Sequence, residues 1–112
     1  MDTAAMQDLR VALRWIRDAG MEVCDKGWEH AALMDVAVDR ATPIVARSYE
    51  LPGDVAIFRG QLAVDCEAWC RLSSLSQSAS ARSEFRGAGV KLARRMVDRS
   101  DALLAWLQGP KG

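Results

Sequence analysis

Apolar residues recur at three- and four-residue intervals along most of this chain, and that spacing leaves room for little except helices. Met6, Leu9, Leu13 and Ile16 step by three, four and three, which places them on one face of a helix over residues 4–19. Asp8, Arg14, Arg17 and Asp18 fall largely elsewhere. Asp2 or Thr3 can accept from the first free N–H groups, and Gly20 suits the left-handed position that closes a helix. After a turn at 20–27, a second helix is predicted over 28–40. Ala31, Leu33, Met34, Val36, Ala37 and Val38 make it apolar around most of its circumference. Such a helix should be the most buried, with Asp35 and Asp39 as its solvated strip. Thr42-Pro43 has the form of a helix start, since threonine caps well and proline at the first position gives up only an unpaired donor. The second helix should therefore end or kink near Arg40. A short third helix then runs to about Glu50, with Ile44, Val45 and Tyr49 inward.

Leu51-Pro52-Gly53-Asp54 forms a tight connection, and Asp54 can cap a fourth helix over 54–75. Its stripe is Val55, Phe58, Leu62, Trp69 and Leu72, with Cys66 beside it. A glycine in mid-helix costs about 1 kcal/mol relative to alanine, so Gly60 predicts a close helix crossing. Six serines within 73–83 predict a flexible connection. The last helix covers about 80–108, with Phe85, Leu92, Met96, Leu103 and Leu107 as its stripe. Gly87-Ala88-Gly89 and Ser100-Asp101 are possible breaks, and the tail 109–112 should fray. Val55/Ile57 and Leu62/Val64 alternate as a strand would, but Gly60 and the helical spacing that follows argue against one. The expected fold is all-α: one domain over 1–112, a bundle of four to five helices in which the first, fourth and last are longest.

The totals fit that picture. Half of the 112 residues are hydrophobic and 27% are charged, which argues for a folded chain. No apolar run approaches the roughly 18 residues of a membrane span. Asp2, Asp8 and Arg10 interrupt any signal-peptide core, which predicts a soluble cytoplasmic protein. The high ratio of arginine to lysine, with abundant Ala, Val and Asp, suggests a bacterial or phage gene. Cys24, Cys66 and Cys70 make an odd count without a secretion signal, as expected of free thiols. Net charge is zero but segregated: −4 over residues 1–77 and +4 over 78–112. Either the two parts lie side by side and attract, or the basic end meets an acidic partner.

Few constellations carry chemistry. Cys66 and Cys70, four apart, share a helix face, and Cys24 and His30 could complete a metal site. That spacing is unusual for structural zinc, and free cysteine is among the most buried residue types. His30 beside Glu29 could activate a thiol, yet no local motif supports a nucleophile pair. Gly87-Ala88-Gly89 lacks the preceding strand and third glycine of a phosphate loop. No catalytic residue, metal or cofactor is assigned, and no enzyme activity is expected.

The basic segment remains. Arg82, Arg86, Lys91, Arg94, Arg95 and Arg99 fall within 18 residues; Arg82 aligns with Arg86, and Lys91 with Arg95 and Arg99. Such rows can track phosphates. Residues 92–107 loosely resemble a bacterial helix-turn-helix, with Ala93 at the small position and Leu103, Trp106 and Leu107 in the second helix. The resemblance departs where Val97 replaces the turn glycine and Asp98 the apolar residue after it. The second helix is acidic and aliphatic, with little to read base edges. It is not carried further.

Four tryptophans are many for so small a chain, and any left exposed would anchor a partner. The reading by exclusion is a small non-enzymatic helical interaction module: a regulator, adaptor, chaperone or inhibitor that binds another protein. Its contact residues would be Arg82, Arg86, Lys91, Arg94, Arg95, Arg99 and Trp106. A homodimer is expected somewhat more than a monomer. The alternatives are a nucleic-acid-associated regulator using the same basic helix, and a thiol- or metal-binding helical protein.

Overall fold

The predicted stripes do form helices. In the computed structural model, which describes residues 3–47, 49–75 and 79–108 (backbone alone for 79–85), these are α1 (Thr3–Lys26), α2 (Ala31–Val45), α3 (Gly53–Leu75) and α4 (Ala79–Leu107). A single 3-10 turn, Trp28–His30, leads into α2. Asp2, residues 76–78 of the serine-rich segment and the tail 109–112 lie outside the described residues.

The chain runs up and down. Arg10 near the start of α1 donates to the Leu107 carbonyl at the end of α4 (3.0 Å), while Gly20 meets Val97 nearer the other end. Trp69 bonds Asp35 and Arg59 bonds the Val45 carbonyl, so α2 and α3 are antiparallel too. Arg95 on Asp65 fixes α4 against α3. Each helix packs on two neighbours, with α1 diagonal to α3 and α2 diagonal to α4. Leu9, Leu13, Ile16, Met34, Val38, Leu62, Trp69, Met96 and Leu103 fill the space between. That set joins every predicted stripe. Phe58 of the α3 stripe is instead exposed, and the Phe85 side chain lies outside the described residues.

Tertiary contacts overrule several local signals. Gly20 does not end α1; it is buried within it, where an added Cβ would sit 2.6 Å from Val97 Cγ2. The helix closes at Gly27, whose φ of +94° is the left-handed geometry glycine tolerates and whose N–H donates to the Val23 carbonyl (2.8 Å). Thr42-Pro43 does not restart a helix. α2 runs through it, and Thr42 Oγ1 donates back to the Val38 carbonyl (2.6 Å). Proline deprives the Asp39 carbonyl of its partner, but both residues lie on the exposed side, where water can serve. The separate third helix is thus the last turn of α2. Beyond it, Tyr49 and Arg59 donate to the carbonyls of Ile44 and Val45 and cap its end.

α2 is not the most buried helix: Leu33 and Val36 face outward, and Asp35 is not merely solvated, since it accepts from Trp69 Nε1 (2.7 Å). Asp54 is not a cap but part of the first turn of α3, favourable there to the helix dipole. Gly60 is no crossing; a Cβ there would meet nothing within 4 Å. α4 continues through both expected breaks, and it is Gly89 that marks a close approach. An added Cβ would come 2.0 Å from Trp28 Cζ3. Trp28 plugs that end of the bundle and lies 5.1 Å, centroid to centroid, from Trp69.

Candidate functional site

The thiols are dispersed by the bundle. Cys66 points into the core, and burial pushes its pKa up to about 12, so it stays a thiol. Cys70, one turn on, is exposed toward α2; partial burial and then the carboxylates of Asp39 and Asp35 hold its pKa above the usual value. Cys24 belongs to the seam between α1 and α4, where burial raises it against the pull of Arg94. His30 sits in the 3-10 turn. Among the described residues, no three of the His, Cys, Asp and Glu side chains gather as metal ligands. Four-ligand coordination by Cys24, His30, Cys66 and Cys70 is therefore not assembled.

The basic row is partly spent inside the chain. Arg95 Nη2 lies 3.0 Å from Asp65 Oδ1, and Arg99 Nη1 holds the other carboxylate oxygen. Asp65 is itself 2% exposed, a buried acid that these two arginines neutralise. Arg86 reaches Glu29 at 3.6 Å. Arg86, Arg95 and Arg99 thus pair with acids from the first 77 residues, and the segregated charges attract across helix seams. Lys91 and Arg94 are exposed, with no ion pair among the described residues. The Arg82 side chain lies outside the described residues. Trp106 is half-buried against the core, so the structure places it as packing. Trp28 and Trp69 are buried; Trp15, at 37% exposure, is the outermost tryptophan. The helix-turn-helix resemblance has no turn to support it, because α4 is unbroken across Val97 and Ser100.

What these placements create is an open groove between α3 and α4. Ile57, Gly60, Gln61 and Val64 form one wall, Arg95 and Arg99 the other, and Asp65 ties them at the floor. Positions 57, 60 or 61, and 64 follow one another along a helix face, so the wall is continuous. Ile57 is 58% and Val64 63% exposed, so the wall is apolar and open to water. Lys91, one turn from Arg95 on α4, extends the basic lip. The arrangement offers apolar area beside guanidinium groups with donors to spare. Sequence reasoning named Arg95, Arg99 and Lys91 but missed Asp65, Ile57 and Val64. Asp65 had a signal: it stands among Leu62, Cys66 and Trp69 on the apolar stripe, where an acid needs a partner. The α3 helix also had one, being apolar on more than one side.

Comparisons with family models, curated proteins and solved structures gave no match, so the groove is read from its own chemistry. No helix among the described residues is long and apolar enough to cross a membrane.

Proposed function

We propose that the protein is a non-enzymatic helical interaction module, of the regulator, adaptor, chaperone or inhibitor kind, that binds another protein through the α3–α4 groove. One observation carries it: Ile57 and Val64 are more than half exposed directly beside the Arg95 and Arg99 lip. Exposed apolar residues are individually ordinary, but an apolar row rimmed by arginine has the composition of binding surfaces. The contact set proposed from sequence narrows accordingly, from the whole α4 row and Trp106 to Lys91, Arg95 and Arg99 together with the outer wall of α3.

The test is a photo-crosslinking residue at position 64, compared with one at Arg14 on the diagonal helix α1. A discrete adduct to a second protein from position 64 and none from 14 is the expected result. Adducts from both, or none from 64, would refute the reading. The same samples in native mass spectrometry give the subunit count, and a dimer linked through position 64 would make the partner a second copy. On α4 the nucleic-acid reading keeps only Lys91 and Arg94 as unpaired cations among the described residues. It predicts duplex DNA binding that falls steeply with salt.

A further inference from the structure

We infer that the groove takes an acidic amphipathic helix of its partner, a conclusion that rests on the interaction-module reading and specifies the chemistry of what binds. Several peptide-binding modes recur in proteins, and the shape of the groove fits one of them. Adding a strand needs a sheet edge, and the described residues contain no strand. Holding a proline-rich segment needs aromatic walls, and no aromatic residue lines this groove. Two helices side by side instead leave a straight trough into which a third helix can lay its ridge.

The dimensions and charges agree. At about 1.5 Å rise per residue, Ile57 to Val64 spans roughly 10 Å, two turns, matching apolar residues at i, i+3 or i+4, and i+7 of an incoming helix. Gly60 stands between them, with open space where a Cβ would be, so a partner side chain or backbone can approach closely there. Along the other lip, Lys91, Arg95 and Arg99 follow at four-residue spacing, and Asp65 offsets only one of the three charges. Arg95 is half exposed, with guanidinium donors left over after bonding Asp65. Of the exposed acids of α3, Glu67 faces its own Arg71 at 4.0 Å and Asp54 stands in the first turn, one turn before Ile57. Asp98, seven residues after Lys91, shares the exposed strip of α4 with it and offsets one further charge. The lip therefore carries surplus positive charge beside an apolar wall, which complements glutamates or aspartates flanking an apolar stripe.

The experiment is a display selection on the full chain with helix-biased 18-residue peptides, alanine at fixed positions and the rest randomised. Enriched peptides should carry apolar residues at helical spacing with acids beside them. Their affinity should fall at least tenfold on Val64→Glu and again on Lys91→Glu, and be unchanged on Arg94→Glu, which points away from the groove. Both groove substitutions are at exposed positions, and circular dichroism confirms that each variant is folded. A basic or neutral consensus, no consensus, or binding indifferent to Val64→Glu would overturn the inference. So would preferential capture of duplex DNA by the same surface. If position 64 still crosslinks a protein partner while the selection fails, only the acidic-helix inference falls; if nothing crosslinks, the interaction reading falls as well.

Discussion

Replacing Gly89 by alanine should destabilise the fold, although the same change in an ordinary helix interior stabilises it. The helical preference favours alanine by about 1 kcal/mol. Against that, the new Cβ would lie 2.0, 2.5 and 2.7 Å from three ring carbons of Trp28. The indole is rigid, 5% exposed and stacked at a tilt on Trp69, so it cannot swing aside without opening the end of the core. Overpacking of this kind costs roughly 1–3 kcal/mol or more, and a clash with a rigid ring belongs at the upper end. The net loss should be about 2 kcal/mol, a fall in Tm on the order of 10 °C for a chain this size. Urea and thermal unfolding followed by circular dichroism measure it. Gly87→Ala, two residues away with nothing within 4 Å of its Cβ, is the internal control and should gain up to about 1 kcal/mol. Trp28→Leu should relieve part of the Gly89→Ala cost in the double variant. Gly89→Ala as stable as the parent would refute the packing of Trp28 onto α4.

Four further outcomes are expected. Asp65→Ala should cost about 2–3 kcal/mol in urea unfolding, because it strands Arg99 in a partly buried site; Arg95 is half exposed and loses less. Ser100 is fully buried and its hydroxyl has no hydrogen-bond partner among the described residues, so Ser100→Ala should raise stability by about 1 kcal/mol. Iodoacetamide at pH 8 should label Cys70 first and reach Cys66 only on unfolding; equal labelling rates in the native protein would contradict the burial of Cys66. Because the folded pKa of Cys66 lies near 12, above the value of 9 for a free thiol, the folded state retains a proton that the unfolded chain loses. Its contribution to stability is complete below pH 9 and should decline from pH 9 toward 12, a decline that Cys66→Ala should lessen.

The helices themselves were legible because periodicity is a local property: a stripe at three- and four-residue spacing must bury itself, whatever it packs against. The residues 4–19, 54–75 and 80–107 each proved to lie in one helix for that reason, with α1 running on to Lys26 and α4 stopping one residue short of the predicted 108. What glycine and proline do was not legible. Gly20, Gly60 and Gly89 look alike in sequence, yet Gly20 meets α4, Gly89 meets the Trp28 ring and Gly60 faces open space, a distinction made only by where the rest of the chain passes. Pro43 breaks a helix when its orphaned carbonyl is buried and is tolerated when that carbonyl faces water, so its effect also depended on the packing. The same holds for the candidate site. The arginine row on α4 could be counted from the sequence. That Arg95 and Arg99 clasp a buried Asp65, and so set a basic lip beside Ile57 and Val64, required two successive helices to lie in register, with residues some 30 apart in sequence brought together. The sequence by itself determined which faces are apolar and where charge accumulates; the tertiary structure decided which charges are spent on one another and which apolar residues are left for a partner, because both depend on distances between helices that no local pattern encodes.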